Sequence, residues 1–499
     1  MTEDGEATRV LAACVRERGE AEAIRMGAVS RSWASLDASV KETRASLRAA
    51  GIAPGDLVAV LAPPSIEGVV LLFALLDSGV PMLPLNARLS ETEQAQAVKD
   101  SHARFLVTLP ADSRGARLAE QTGSGLLALA PDSLDVVAAP AEARAKANRD
   151  AAARRRAERA ALVLRTSGTS GQPKGAVLGL DNLIASADGA ASLLGSTPLD
   201  RWLLCMPLFH IGGLAILLRA ARVGASVVLH DRFDEVEVAR SLEEESITRV
   251  SFVATMLERV LAVRGDRRAP SALDLVLLGG GPASDDLVER AEALGYPIAP
   301  TYGLTEAASQ VATRPPGAPR NEPAGGLVPL GGVSLRIVDE EGQSCPAGVE
   351  GEIQVRGPIV MRGYLDDFEA TARARRDGWL STGDIGRLDE AGHLRVLDRR
   401  TDLILSGGEN VYPAQIESVL ESHPDVVEAG VRGVEDATYG ARPAAWVVRS
   451  EGAGLDVDAL QAFCRERLAG YATPVRVEFV ERLPRNATGK LLRRELGAT

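Results

Sequence analysis

Residues 165–175 read Arg165-Thr166-Ser167-Gly168-Thr169-Ser170-Gly171-Gln172-Pro173-Lys174-Gly175, a small, polar and glycine-rich stretch. The apolar runs 161–164 and 176–178 on either side are typical of buried strands, so the stretch is predicted to be a loop between two strands. Such a loop presents backbone N–H groups and hydroxyls with little side-chain bulk, which suits polyphosphate oxygens. The spacing is not that of a Walker A loop. The alternative is a flexible linker, which would not need Pro173 and Lys174.

Composition excludes several classes of protein. At 499 residues the chain is too long for one core and should form at least two domains. Its net charge of −12 argues against a general nucleic-acid binder and against binding to an anionic membrane surface. The N-terminus lacks the features of a signal peptide, and no apolar stretch is a convincing membrane span. We therefore expect a cytoplasmic protein.

Cysteine and lysine usage add two observations. The four cysteines, Cys14, Cys205, Cys345 and Cys464, are far apart and show no metal-ligand spacing or disulfide framework, which fits a reducing compartment. Lysine is rare, since the chain almost always uses arginine instead. Two of the few lysines lie in polar segments that contain glycine, at Lys174 and Lys490. A specific need for a compact ammonium explains this, and chance is the alternative.

The pattern along the chain predicts an α/β fold. Short apolar strands alternate with helices, as in domains built on a mainly parallel sheet. Residues 8–50 look helical, and Ser90 with Glu93 forms a capping-box signature for the following helix. We predict a large N-terminal domain, 1–397, whose sheets are flanked by helices and whose portion from about 325 to 397 is β-rich. A hinge at 398–402 and a small, mobile α+β domain at 403–499 follow.

Further motifs follow the glycine-rich stretch in a fixed order: Tyr302–Glu306, Ser381–Asp384, Asp398–Asp402, Gly407–Pro413 and Pro484–Lys490. Each is weak alone. Together they resemble the adenylate-forming superfamily, which comprises acyl-CoA synthetases, adenylation domains of peptide synthetases and firefly-type luciferases. The resemblance covers nearly the whole chain.

Four details resemble one branch of that superfamily, the 2-succinylbenzoate–CoA ligases of menaquinone synthesis. They are Pro207–Leu214, Leu278–Pro282, Ser309-Gln310 and Ser406–Asn410. The resemblance implies a ligase that uses ATP, Mg²⁺ and coenzyme A to activate a small carboxylic acid. It also suggests a homodimer by analogy. The alternatives are another aryl- or fatty-acyl-CoA synthetase, transfer to a carrier-protein thiol, and a non-catalytic nucleotide-binding protein.

The resemblance also implies roles for the residues that contact the phosphates. Thr305 would bond the α-phosphate, and Glu306 would bind Mg²⁺, a hard cation that prefers oxygen ligands. Lys490 would bridge the reacting carboxylate and the α-phosphate, so that it, Thr305, Glu306 and His210 form the catalytic set. The β- and γ-phosphates would be held by the loop residues Thr166, Ser167, Gly168, Thr169, Ser170, Gly171 and Lys174.

The remaining nucleotide contacts are implied in the same way. Asp384 would accept hydrogen bonds from the ribose hydroxyls, and Arg399 would donate nearby, although Arg399 alone looks like any exposed basic residue. The adenine slot would be formed by Gly279, Gly280, Gly281 and Tyr302, and Gly303 would also bind the nucleotide. Gly407 and Gly408 would contact coenzyme A after the small domain rotates about a hinge at Thr401, where relatives commonly carry Asp or Lys.

The acyl pocket has the fewest sequence signals. His210 lies in an apolar segment where a lone histidine is more often structural, but the resemblance places this position beside the reacting carboxylate. 2-Succinylbenzoate carries a second, aromatic carboxylate, so its pocket should contain a donor or a cation. The candidates are Arg219, Ser309 and Gln310. A solvent-exposed position on a helix is an equally good interpretation of Arg219.

Overall fold

The computed structural model describes residues 10–109, 112–130, 133–138, 160–167, 173–280, 283, 285–318, 326–339, 341–398, 404–411, 413–450, 452–484 and 493–497. These residues form two compact units. The larger unit is drawn from Met1–Leu85, Val98–Leu164 and Ala176–Asp398. The smaller unit is drawn from Asn86–Ala97, Arg165–Gly175 and Arg399–Thr499.

Several helices begin where a capping side chain accepts a hydrogen bond from a free backbone N–H group. Ser90 and Glu93 confirm the predicted capping box: the Ser90 N–H donates to Glu93 Oε2 at 2.9 Å, and the Glu93 N–H donates to Ser90 Oγ at 3.3 Å. The helices are α1 (Ala12–Arg18), α2 (Trp33–Ala49), α3 (Ile66–Asp77), α4 (Glu91–Asp100), α5 (Ser113–Thr122), α6 (Leu180–Leu193), α7 (Ile211–Val223), α8 (Glu235–Glu244), α9 (Ala254–Arg264), α10 (Asp285–Ala293), α11 (Phe368–Ala374), α12 (Pro413–Glu421) and α13 (Val457–Arg465).

Most strands are short, and those in the middle of the parallel sheets are largely buried on both faces, as expected for strands covered by helices. They are β1 (Glu22–Met26), β2 (Val29–Ser32), β3 (Val58–Leu61), β4 (Met82–Pro84), β5 (Phe105–Thr108), β6 (Gly125–Ala130), β7 (Ser133–Ala138), β8 (Leu162–Ser167), β9 (Pro173–Leu178), β10 (Arg201–Leu204), β11 (Ser226–Leu229), β12 (Arg249–Phe252), β13 (Leu275–Leu278), β14 (Ile298–Leu304), β15 (Ser309–Thr313), β16 (Val328–Pro329), β17 (Ser334–Val338), β18 (Gly351–Arg356), β19 (Gly363–Tyr364), β20 (Arg375–Arg376), β21 (Trp379–Leu388), β22 (Leu394–Asp398), β23 (Ile404–Ser406), β24 (Glu409–Val411), β25 (Val426–Asp436), β26 (Gly440–Arg449) and β27 (Arg476–Phe479).

Two sheets with parallel centres form the main part of the larger unit. One has the order β16-β15-β14-β13-β12-β10-β11-β1-β2, with parallel pairing from β14 to β1 and antiparallel pairing at both edges. The other has the order β19-β9-β8-β4-β3-β5-β6-β7. Apolar side chains from both sheets and their helices share one core. The predicted α/β class is therefore confirmed.

A third sheet supplies the predicted β-rich portion of the larger unit. Its order is β17-β18-β21-β20, and β22 pairs with β21. Alternate residues Ile353 and Val355 of β18 are fully buried, while the residues between them face away from the core. This alternation is the normal pattern of an antiparallel sheet with one covered face.

The smaller unit contains a mixed sheet with its own core. The sheet has the order β24-β23-β26-β25, and β27 pairs in parallel with β26. Apolar side chains of α12 and α13 pack against it, among them Ile416, Leu420 and Leu460. The segment from Ile404 onwards is therefore α+β. Within the described part of the chain, no helix is both long and apolar enough to cross a membrane.

The prediction that residues 8–50 are helical is wrong between α1 and α2, where the chain forms the strands β1 and β2. Strands β1 and β2 form a hairpin around Gly27, whose φ of +55° suits glycine. Strand β1 pairs in parallel with β11, placing Ile24 opposite Val227. Strands β1 and β11 are about two hundred residues apart, so the sequence around β1 carries no sign of this pairing. The pairing overrides the helical pattern of the neighbouring residues.

Helix α3 offers a test of the shared core. Leu75 has no exposed surface, whereas Leu199 is 83% exposed. We expect Leu75→Ala to lower the free energy of unfolding by about 2–5 kcal/mol, because it removes buried methyl groups and leaves a cavity. The matched control Leu199→Ala should change it by less than about 0.5 kcal/mol. Urea unfolding of both variants measures the difference, and equal effects would contradict the buried position of α3.

Candidate functional site

The hairpin of β14 and β15 brings together many of the predicted site residues. Between the two strands lies a 3₁₀ turn, Thr305–Ala307. The register pairs Gly303 with Gln310 and Leu304 with Ser309. A Cβ atom on Gly303 would lie 1.9 Å from the Ser309 carbonyl oxygen, a distance no side chain tolerates. The hairpin can therefore close this tightly only with glycine at position 303.

The turn is strained at two residues that are not glycine. Ala308 has a φ of +51° and Ser309 a φ of +96°. Such conformations persist when the surroundings fix them. Here the Ser186 hydroxyl, buried on α6, donates to the Ala308 carbonyl oxygen at 2.6 Å. Ser186 was not predicted from the sequence, because the two residues lie 122 positions apart.

Tyr302 and Asp384 form a hydrogen-bonded pair. The Tyr302 side chain is 2% exposed, and its hydroxyl donates to Asp384 Oδ2 at 2.7 Å. Asp384 follows Gly383, whose φ is +73° and whose N–H donates to Glu352 Oε1 at 2.9 Å. The Asp384 N–H in turn donates to the Thr382 hydroxyl at 3.1 Å. A carboxylate fixed in this way can accept further hydrogen bonds from a ligand.

Glu306 is held at both its main chain and its side chain. Its carbonyl oxygen accepts from the Met361 N–H at 2.7 Å. Its Oε1 accepts from the Tyr364 hydroxyl at 2.9 Å. Tyr364 is a residue that the sequence motifs did not identify, because its contact with Glu306 depends on the placement of the two-residue strand β19. Neighbouring Thr305 is partly exposed, as is Glu306.

The glycines after β13 allow close backbone approach. Gly280 has a φ of +79°, and a Cβ there would lie 2.8 Å from Val253 Cγ1. A Cβ on Gly279 would lie 2.6 Å from Thr301 Cγ2. Both positions therefore favour glycine, and Gly280 does so for its backbone conformation as well. Gly281, the third predicted residue of this segment, lies outside the described residues.

Arg219 is buried in an otherwise apolar helix. Nearly every residue of α7 is buried, and Arg219 is 2% exposed, which excludes the solvent-facing alternative. Its guanidinium donates to Gln310 Oε1 and lies 4.7 Å from the centre of the Trp202 ring. Burial and, secondarily, the charge of Arg249 lower the pKa of Arg219 to about 9, so it stays protonated at neutral pH.

A small pocket borders Arg219. His210 occupies the N-cap position of α7, directly before the lining residue Ile211, and its ring centre lies 4.6 Å from that of Phe209. Ser309 follows one of the lining residues, and Gln310 reaches the pocket through Arg219. The pocket is lined by Leu183, Ser186, Ala187, Ile211, Ala215, Leu218, Arg219 and Ala308.

The smaller unit carries the other predicted residues. Thr166 lies close to Lys174, because its hydroxyl donates to the Lys174 carbonyl oxygen at 3.4 Å. Gly407 and Gly408 form the turn of the β23–β24 hairpin with φ of +59° and +86°, as a type I′ turn requires. Ser167 ends β8. Gly168, Thr169, Ser170, Gly171, Arg399, Thr401 and Lys490 lie outside the described residues.

Comparisons with known proteins agree over almost the whole chain. A model of the AMP-binding enzyme family matches residues 11–365, and a model of the AMP-binding enzyme C-terminal domain matches residues 415–490. The 2-succinylbenzoate–CoA ligase of Geobacillus kaustophilus is 43% identical over 474 residues, which cover 95% of this chain and 94% of that protein.

Solved structures are also similar. A double mutant of the o-succinylbenzoate CoA synthetase of Bacillus subtilis, bound to its product analogue, has a TM-score of 0.87 and 36% identity over 99% of this chain and 98% of that chain. The same synthetase has been solved with ATP and a magnesium ion, with a TM-score of 0.67, 36% identity and coverage of 98% and 99%. An amide bond synthetase from Marinactinospora thermotolerans has a TM-score of 0.84 and 32% identity over 99% of each chain. This chain belongs to the family of AMP-binding enzymes.

Proposed function

We infer that this chain is an ATP-dependent acid–CoA ligase that converts 2-succinylbenzoate into 2-succinylbenzoyl-CoA, a step of menaquinone biosynthesis. The observation that carries this inference is the 43% identity to a 2-succinylbenzoate–CoA ligase over 95% of the chain. ATP, Mg²⁺ and coenzyme A are the cofactors that this reaction uses. A cytoplasmic location and a homodimer stay predictions.

The reaction has two steps with different electrostatic demands. The substrate carboxylate first attacks the α-phosphate of ATP and displaces pyrophosphate, which gives an acyl-adenylate. The thiol of coenzyme A then attacks the acyl carbon and displaces AMP. Two anions must approach each other in the first step, so fixed positive charge and hydrogen-bond donors supply much of the catalysis.

The residues of the larger unit suit the ATP side of this reaction. Asp384 accepts from the ribose hydroxyls, with Tyr302 holding its Oδ2 and closing one side of the adenine slot. Gly279, Gly280 and Gly303 admit the nucleotide close to the backbone. Thr305 donates its hydroxyl to the α-phosphate.

Glu306 fits a magnesium ion that arrives with ATP. Among the described residues, no three His, Cys, Asp or Glu side chains cluster as a metal site, so a cation would rely on Glu306 and phosphate oxygens. Mg²⁺ commonly binds through one or two carboxylates together with substrate phosphates and waters. The bound ion would neutralise phosphate charge.

The other proposed contacts involve the smaller unit. Lys174 and the loop from Thr166 to Gly171 hold the β- and γ-phosphates, and Arg399 donates near the ribose. Lys490 bridges the carboxylate and the α-phosphate during the first step. Gly407 and Gly408 contact coenzyme A in the second step. Residues 398–402 act as a hinge between the domains 1–397 and 403–499.

The identity of the carboxylic acid substrate is inferred from the burial and the partners of Arg219. Among the described residues, three other arginines are almost fully buried, and each has a carboxylate partner: Arg249 with Asp200 at 2.8 Å, Arg264 with Glu243 at 2.7 Å, and Arg314 with Glu292 at 2.6 Å. Buried charges are normally paired in this way, because an unpaired one is costly.

Arg219 differs from these three. Its partners among the described residues are a neutral amide and an aromatic ring, and its Nε has none. A dicarboxylic substrate supplies the missing counter-charge with the carboxylate that is not activated. Gln310 holds the guanidinium in place. Ser309 and His210 each adjoin a lining residue in sequence, and we assign them to the acyl site, with His210 shaping it beside the reacting carboxylate.

A second candidate function is amide formation, which the similarity to the amide bond synthetase favours. Both reactions share the acyl-adenylate and differ in the acceptor. Incubation of the enzyme with ATP, Mg²⁺ and 2-succinylbenzoate, with coenzyme A or a panel of amines as acceptor, separates them by mass spectrometry of the products. Thioester as the dominant product supports the ligase, and amide as the dominant product overturns it.

The proposed identity of the acid is tested with a matched pair of substrates. 3-Benzoylpropionate is 2-succinylbenzoate without the ring carboxylate. We expect the wild type to favour 2-succinylbenzoate in kcat/KM by about 30-fold or more, since a buried charge pair that loses one partner costs about 2–5 kcal/mol. Arg219→Met should reduce that preference to within about tenfold, mainly by loss of activity on the dicarboxylate.

The control for this experiment is Arg222→Met. Arg222 lies on the same helix, is partly exposed and pairs with Asp188 at 2.7 Å, so its loss should leave the substrate preference unchanged. Thermal unfolding of both variants checks that they are folded. A wild type that prefers the monocarboxylate would refute the proposed acid while leaving the ligase reaction intact.

The role of Lys490 is tested by separating the two steps. We expect Lys490→Ala to reduce acid-dependent pyrophosphate release by about 10²–10³-fold, because a charge that stabilises the transition state is lost. Conversion of preformed acyl-adenylate and coenzyme A into thioester should be largely retained. Lys99→Ala, which changes an exposed lysine at the end of α4, is the control. Equal loss of both steps would contradict a role confined to adenylation.

A further inference from the structure

The hydroxyl of Tyr364 donates to Glu306 Oε1 at 2.9 Å. From this contact we propose that Tyr364 is a positioning residue, which orients the Glu306 carboxylate for the divalent cation that accompanies ATP. The proposal rests on the function proposed above, because it assumes that Glu306 meets a metal–nucleotide complex. It assigns a role to a residue outside the sequence motifs.

Tyr364 is itself fixed by the strands and helix around it. Strand β19 pairs antiparallel with β9, which places Tyr364 opposite Ala176. The Tyr364 N–H donates to the Thr371 hydroxyl at 2.8 Å, and that hydroxyl donates to the Asp367 carbonyl oxygen at 2.7 Å. A ring whose backbone is tied on both sides cannot move far, so its hydroxyl has a defined position.

Glycine at position 363 makes this arrangement possible. Gly363 has a φ of +149°, and a Cβ there would lie 2.6 Å from Cγ2 of Thr371. Helix α11 therefore approaches β19 more closely than any other residue at 363 would allow. The close approach brings the Thr371 hydroxyl within reach of the Tyr364 backbone.

One short segment holds Glu306 at two points. The N–H of Met361, three residues before Tyr364, donates to the Glu306 carbonyl oxygen at 2.7 Å. The side chain of Tyr364 then holds one carboxylate oxygen. Main-chain and side-chain contacts from the same segment set both the position of Glu306 and the rotation of its carboxylate.

A phenol is a suitable partner for this task. It donates one hydrogen bond and carries no charge at neutral pH, so the carboxylate keeps its full negative charge for a cation. A lysine or arginine in its place would neutralise that charge. Mg²⁺ requires nearly ideal octahedral geometry with short bonds, so a carboxylate that is already oriented binds it better than one free to rotate. Hydrogen bonds to ligating carboxylates commonly change metal affinity by about 10–100-fold.

The test removes the hydroxyl and keeps the ring. An ATP analogue with a methylene group between the α- and β-phosphorus atoms cannot release pyrophosphate, so binding is measured without turnover. Thermal unfolding with this analogue is followed as Mg²⁺ is titrated. We expect Tyr364→Phe to raise the half-saturating Mg²⁺ concentration about tenfold. Stabilisation by the analogue in EDTA should not change, and in the acid-dependent assay high Mg²⁺ should restore most of the pyrophosphate release.

Tyr296→Phe is the matched control. Tyr296 is buried, and its hydroxyl accepts a hydrogen bond from Arg264 in a separate apolar cluster. Its loss should lower the melting temperature without altering the Mg²⁺ dependence. An equal shift of Mg²⁺ dependence in both variants, or no shift in Tyr364→Phe, overturns the proposal.

A double-mutant cycle gives a second measurement that does not rely on one variant. In a Glu306→Gln background, Tyr364→Phe should change the half-saturating Mg²⁺ concentration by less than about twofold, because residues acting through one contact are not additive. An additive effect would contradict a role through Glu306. The binding titration also keeps the two proposals distinct: a protein that activates no acid refutes the proposed function, yet it still reports whether Tyr364 governs Mg²⁺ binding.

Discussion

The contact between Gly303 and the Ser309 carbonyl oxygen determines the geometry of the candidate site. Any side chain at 303 would collide with that oxygen, so the hairpin of β14 and β15 closes as tightly as the backbone allows. Tyr302 stands on one side of the contact and Gln310 on the other, with the Thr305–Ala307 turn between them. The proposed adenine, metal and acyl contacts therefore have fixed spacing along a single reversal of the chain.

The closure is strained, and contacts from elsewhere in the fold sustain it. Ala308 and Ser309 both have positive φ, and such residues cost on the order of 1–3 kcal/mol each. The Ser186 hydroxyl holds the Ala308 carbonyl oxygen, and the Met361 N–H holds that of Glu306. The larger unit thus fixes a backbone conformation that the hairpin sequence alone would not adopt.

The sequence predicted those features that depend on local pattern. Alternating strands and helices predicted the α/β class, and the motifs singled out Tyr302, Glu306 and Asp384 as candidate site residues. The structure pairs Tyr302 with Asp384 and places Glu306 in the turn that follows Tyr302. Features that depend on distant partners were not predictable in this way. The β1–β2 hairpin exists because β1 pairs with β11, and Ser186 acquires its role only through Ala308. Arg219 was ambiguous because α7 is buried on nearly all sides, so helical periodicity could not show which way it faces.

A buried cation without a carboxylate partner selects a substrate mainly by what it rejects. If Arg219 pairs with the second carboxylate of the acid, a monocarboxylic acid of the same shape leaves the guanidinium buried without a counter-charge, and this penalty exceeds the affinity that extra apolar contact could supply. A purely apolar pocket would instead discriminate by only about 1–3 kcal/mol per methylene group. Gln310 stabilises the guanidinium of the free protein without neutralising it, so the charge remains for the substrate. The same hydrogen bond connects Arg219 to the β14–β15 hairpin, whose turn carries Thr305 and Glu306. The arginine proposed to recognise the acid and two of the residues proposed to activate it are therefore connected through one structural element.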